Sequence, residues 1–194
     1  MIISKKTNLI FLLFLLITGL IIYRGPCFLT EGVFGRDEYA FYKFAKDYGF
    51  LKGLFFVYEG ASYLKLWTNI ANSVASFYSF ETAKLITTYF SVVVYYVIFS
   101  YILFFNSELF LTNKHKIFAI FIVLLSPGMT PEIWMGSAHI REYFGIFAFI
   151  LLFYNPKNDT NFKKLFSNIL ILISFLSSIW ATVLFPIYFL KYFF

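Results

Sequence analysis

The chain has 194 residues, of which 60% are hydrophobic, 24% aromatic and 13% charged, and its mean hydropathy is +0.77. A water-soluble domain carries about half apolar and a quarter charged residues, while a disordered chain lacks aromatic content such as the 29 Phe and 15 Tyr found here. Both classes are excluded, and the composition is that of an integral membrane protein. The formal charge of +6 is dispersed, its longest basic cluster being Lys114-His115-Lys116, so no basic stripe for nucleic acid is present. The single cysteine, Cys27, excludes an intrachain disulfide and a Cys-rich metal site.

In chain order, Lys5 and Lys6 precede an apolar run over about 9–23. Its length fits a signal peptide or a short span, but Arg24-Gly25-Pro26-Cys27 lacks an A-x-A-like cleavage site, so a retained first span is expected. Further spans are predicted over about 85–105, 117–129, 141–154 and 165–190. Between the first two lies a long segment, 24–84. There Phe41, Phe44, Ala45, Tyr48 and Leu51 recur at helical spacing, and Leu64, Trp67, Ala71, Val74 and Tyr78 form a second stripe opposite Lys65, Asn69, Asn72 and Ser76. Both read as amphipathic helices lying in the membrane interface. No internal repeat is evident.

Charge sets the expected orientation. With the N-terminus inside, the cytoplasmic pieces hold seven basic residues (Lys5, Lys6, Lys114, Lys116, Lys157, Lys163 and Lys164) against Glu108 and Asp159, while the other eight acids fall on the outer face. The fold class expected is therefore all-α: a polytopic transmembrane helix bundle of about five spans, forming a single membrane domain over 1–194 with an extracytoplasmic loop at 24–84. A multi-pass position in a bacterial inner membrane, with a cytoplasmic N-terminus, follows from the same reading.

Three stretches could carry chemistry. In Gly35-Arg36-Asp37-Glu38, two carboxylates near the membrane surface suit a general base and a cation ligand. The alternative is that Asp37 caps a helix and Glu38 complements its dipole. The second stretch, 126–142, contains Pro127, Gly128, Pro131, Gly136, Glu132, His139 and Arg141 between two shortened apolar runs. Such residues need an outer interface or a cavity; Glu132, His139 and Arg141 suit an anionic head group or acid and base roles, the alternative being an ordinary turn anchored by Trp134 with a lone His. The third, Tyr58 to Trp67, could stack sugar rings or anchor the interface. Asn158-Asp159-Thr160 matches a glycosylation acceptor but falls on the cytoplasmic side. No zinc, Walker or dinucleotide motif is present.

This layout resembles the GT-C superfamily of membrane glycosyltransferases, which use polyprenyl-phosphate-linked sugars. Glu59-Gly60-Ala61-Ser62-Tyr63-Leu64 followed by Asn69-Ile70-Ala71, with Pro131-Glu132 and His139, is similar to bacterial GT-C-like proteins of cell-surface polysaccharide assembly over about residues 9–154. The resemblance implies a catalytic or metal-coordinating Asp37 supported by Glu38, and a divalent cation (Mg or Mn) at Asp37. It also implies a donor site drawing on Arg36, Glu59, Tyr63, Glu132, His139 and Arg141. The partners implied are membrane lipid, the polyprenyl-phosphate sugar and a glycan acceptor. The family core has about seven spans, so five imply the N-terminal part of a larger core, a partner chain completing the bundle, or a reduced and inactive form. The alternative is a non-catalytic protein that translocates or assembles polysaccharide precursors.

Overall fold

The computed structural model describes residues 5–59, 63–125 and 135–193. Among the described residues the chain is helical, with no strand beyond one isolated antiparallel bridge between Ser107 and Tyr154. The helices are α1 (Lys5–Arg24), α2 (Phe28–Glu31), α3 (Arg36–Tyr48), α4 (Phe50–Leu54), α5 (Leu66–Ala75) and α6 (Phe80–Phe104). They are followed by α7 (Asn113–Leu125), α8 (Arg141–Leu152), α9 (Asn161–Ser177), α10 (Ile179–Val183) and α11 (Phe185–Phe193).

Helix α6 is the axis. Its 25 residues rise about 37 Å, and among the described residues it alone is long and apolar enough to cross a membrane unbroken. Phe11–Tyr23 and Phe28–Tyr48 reach that standard only together, as a pair bent by 83°. Helices α7, α8 and α9 have 13, 12 and 17 residues, short of the roughly 20 a straight span needs. Helix length therefore does not reproduce the expected count of five.

Side-chain contacts fix the directions. Phe14 stacks on Tyr96 and Thr18 bonds its hydroxyl, while Tyr89 donates to the Leu29 carbonyl, so α1 runs antiparallel to α6. Tyr95 meets Tyr143 and Tyr101 meets Phe147, which makes α8 parallel to α6. Helix α9 runs back, from Lys163 at the Phe104 carbonyl to Ser177 at the Trp67 amide.

The run 165–190, expected as one span, is instead three helices. Ser178 is extended (φ −141, ψ 128) and Leu184 breaks the chain again. Hydroxyls at Ser177 and Ser178 favour such breaks, and Pro186 pre-sets the first turn of a new helix. Helix α11 then folds back: Tyr188 donates to the Ala148 carbonyl, and Lys191 to those of Leu152 and Tyr154. Lys191 thus shares an end of the bundle with Lys163 and with Lys116, whose ammonium takes the Leu103 and Phe105 carbonyls. Three lysines satisfy the orphan carbonyls and negative dipole ends of α6 and α8.

At the opposite end, α2 and α5 lie against the first half of α6, and α3 and α4 pack on α5. Gly32 has φ +74, and an added Cβ would lie 2.5 Å from Lys84 backbone, so the turn into α3 abuts α6 closely. The two amphipathic stretches are helical as expected, but α5 buries its polar face as well as Ala71 of its apolar stripe. Asn69, Asn72 and Ser73 are buried, together with Lys65 before the helix and Ser76 after it, whereas Tyr78 is exposed. The reason is hydrogen bonding: Asn69 Nδ2 donates to the Leu54 and Phe56 carbonyls, and Asn72 Nδ2 to Ser137 Oγ. The polar face is the glue, and the apolar face looks partly outward.

Candidate functional site

The end of the bundle away from the three lysines gathers charge from three separate parts of the sequence. Helix α3 contributes Asp37 and Glu38 from its first turn, the approach to α5 contributes Tyr63 and Lys65, and the turn into α8 contributes Ala138 to Glu142.

Glu38 joins two of these parts. It is fully buried, and each carboxylate oxygen accepts a backbone N–H at 2.9 Å, Oε2 from Gly35 and Oε1 from Ala138. The first bond is the reciprocal half of a capping box, possible because Glu38 stands three residues beyond the N-cap Gly35. The second spans 100 residues and ties the start of α3 to the turn before α8. Burial pushes the carboxyl above its ordinary range, against the Ala138 and Gly35 amides and nearby His139, which favour the ionised form. Two further bonds hold the same turn: Thr68 Oγ1 donates to the Ser137 carbonyl at 2.7 Å, and Asn72 Nδ2 to Ser137 Oγ at 3.2 Å.

Lys65 is the second anchor. Its side chain is 2% exposed, and the Asp37 carboxylate lies 3.9 Å from its ammonium, too far for a hydrogen bond. The ammonium sits over the rings of Phe41 at 5.4 Å and of Tyr58 and Tyr63 at 6.0 Å, within range of cation–π attraction. Burial lowers its pKa, and so does the neighbouring Arg141, while Asp37, Glu38 and Glu142 oppose the shift. Arg141 donates from Nη1 to the Tyr63 hydroxyl and from Nε to Glu142 Oε1, both at 3.0 Å. Tyr63 therefore touches both cations.

Of the residues singled out from the sequence, Asp37, Glu38, Tyr63, His139 and Arg141 come together here. Glu38 does so as a strut with both oxygens engaged, not as an open partner of Asp37: neighbouring helical residues diverge by about 100°, and the side chain of Asp37 stays 35% exposed. Arg36 and Glu59 are exposed at the surface. Glu132 lies outside the described residues. Lys65 is the residue that sequence reasoning missed, because a charge opposite an apolar stripe reads as a solvated face.

Among the described residues the donor set does not fit a divalent cation. Among the described residues no three His, Cys, Asp or Glu side chains gather around a possible metal position; Glu38 is committed to two amides and Glu142 to Arg141, and an ammonium stands beside Asp37. Comparison with known proteins adds no relative: no family model, curated protein or solved structure matches the chain.

Proposed function

We propose that the chain works as a membrane-embedded helical protein and transfers a sugar from a polyprenyl-phosphate donor to a glycan or lipid acceptor at the outer face, in the manner of GT-C enzymes. The observation that carries the reading is the Glu38–Ala138 hydrogen bond. It brings the open carboxylate of Asp37 and the guanidinium of Arg141, more than a hundred residues apart, into one charged end of the bundle.

Membrane embedding is supported by an inside-out distribution of side chains. Phe11, Leu12 and Leu15 on α1, Leu165, Ile169 and Leu172 on α9, and Phe185 and Leu190 on α11 are exposed, while Thr87, Thr88 and Ser91 on α6 and Ser167 and Ser174 on α9 are buried. Apolar surface of that extent marks a membrane or protein contact, and small hydroxyl residues suit helix packing within lipid. Lys116, Lys163 and Lys191, gathered at the end away from Asp37, agree with a positive-inside orientation.

In the transfer, Asp37 takes the proton of the acceptor hydroxyl as its oxygen bonds to the anomeric carbon. The bond from that carbon to the phosphate oxygen breaks, and polyprenyl phosphate departs. A groove of about 480 Å³ between α8 and α10 suits the hydrocarbon chain: it opens beside Glu142 and is walled by Ile146, Phe149, Trp180 and Val183. The test is transfer of radiolabel from a polyprenyl-phosphate sugar by the chain reconstituted in lipid. Loss of turnover in Asp37→Asn is expected, and turnover unchanged in that variant refutes the role of Asp37. A second reading, a non-catalytic role in moving or assembling polysaccharide precursors, is favoured by the burial of Glu38, which leaves Asp37 as the one open acid of the adjacent pair; donor binding without turnover in the unaltered chain would support it.

A further inference from the structure

The buried ammonium of Lys65 points to a ligand. A lysine in a folded chain ordinarily keeps its charge in water or pairs it closely. Here three N–H donors are enclosed by aromatic rings, and among the described residues no hydrogen-bond acceptor lies within reach, the Asp37 carboxylate at 3.9 Å being the nearest ion partner. Arg141 lies close enough to disfavour the lysine's charge, and two of its nitrogens already bond Tyr63 and Glu142. Two neighbouring cations that share Tyr63, Lys65 over its ring and Arg141 at its hydroxyl, with donors to spare, make a site short of an acceptor.

We infer that Lys65, Tyr63 and Arg141 form the seat of an oxyanion, a phosphate ester, with the Lys65 ammonium and the Arg141 guanidinium donating to its oxygens. A phosphate offers several acceptors with tetrahedral spread and suits a point donor beside a planar one. Asp37, partly exposed and only loosely held to Lys65, marks the side from which the ammonium is reached. Anion binding replaces Asp37 as the partner of Lys65 and leaves the Asp37 carboxylate free. The inference rests on the transferase reading only for the lipid attached to the phosphate.

The experiment measures binding of farnesyl phosphate, farnesol and inorganic phosphate to the full chain in lipid nanodiscs, with Lys65 acylation followed by mass spectrometry as an independent readout. Farnesyl phosphate should bind at least about tenfold more tightly than farnesol, and Lys65→Met, which keeps the aliphatic stem, should lose that preference. Bound farnesyl phosphate should protect Lys65 from acylation in the unaltered chain, a result that does not depend on how a variant folds. Asp37→Asn should bind farnesyl phosphate more tightly, because a competing carboxylate is gone, even though transfer is lost. No protection of Lys65 by either phosphate overturns the site, and equal affinity for farnesyl phosphate and farnesol overturns its use by a lipid donor. Protection by inorganic phosphate alone keeps the oxyanion seat and overturns the lipid donor, so the two claims fail separately.

Discussion

Replacing Glu38 by alanine tests the joint between the start of α3 and the turn before α8. The change leaves the buried N–H groups of Gly35 and Ala138 without acceptors, each worth about 1–3 kcal/mol when orphaned. Removing a buried carboxylate offsets part of that at neutral pH, so a net loss of about 2 kcal/mol is expected for the opening of the 136–140 turn, or about thirtyfold faster hydrogen exchange at the Ala138 amide. The pH dependence has a definite sign. Burial raises the Glu38 pKa above the ordinary 4.5, so the folded state holds this proton more firmly than the unfolded chain. The group's contribution is full below about the ordinary value and declines as pH rises through the folded value. Glu38→Ala therefore costs more at pH 5 than at pH 8, and Glu38→Gln, which cannot ionise, removes the slope but sacrifices one of the two acceptors. The assay is hydrogen exchange of the peptide containing Ala138 in nanodiscs across that pH range. Equal exchange in the unaltered chain and Glu38→Ala at every pH would refute the latch.

Other consequences concern packing. Gly53→Ala puts a Cβ 2.4 Å from Ser73 Oγ and 2.8 Å from the Ala45 Cβ, so a thermal scan should show a loss of about 1–3 kcal/mol, relieved in part when Ser73→Gly is added. Thr68→Val removes the donor to the Ser137 carbonyl and should cost about 1 kcal/mol, again seen as faster exchange over 136–140. Gly145→Ala brings a Cβ to 2.7 Å from the Trp180 Cβ; it should force α8 and α10 apart and shift Trp180 fluorescence, which stays unchanged if the two helices do not touch there.

The helices themselves were largely legible, since apolar runs and the 3.6-residue period reveal α1, α3, α6 and α9 without reference to tertiary structure. The period shows that a helix has two faces but not which one turns inward. For α5 the polar face went inside, because Asn69 and Asn72 found carbonyl and hydroxyl partners there. Similarly, the Asp37-Glu38 pair stood out in the sequence, while the division of labour between them depends on an amide at Ala138 that only the fold supplies. The break within 165–190 did have a local signal in Ser177-Ser178 and Pro186, overridden by the length of the apolar run. Lys65 had none, because its burial is created by rings from α3 and from the segment before α5.

The charged cluster can meet a donor at the outer face only if it lies outside, and impermeant thiol labelling in intact cells measures that directly. Cys27 is exposed just beyond α1 at the cluster end, and Thr112 is exposed before α7 at the lysine end. Cys27 should react in intact cells, whereas Thr112→Cys, in a chain with Cys27→Ser, should react only after the membrane is opened. Labelling of both positions in intact cells, or of Thr112→Cys alone, would contradict an embedded bundle that presents Asp37, Lys65 and Arg141 on the outer face.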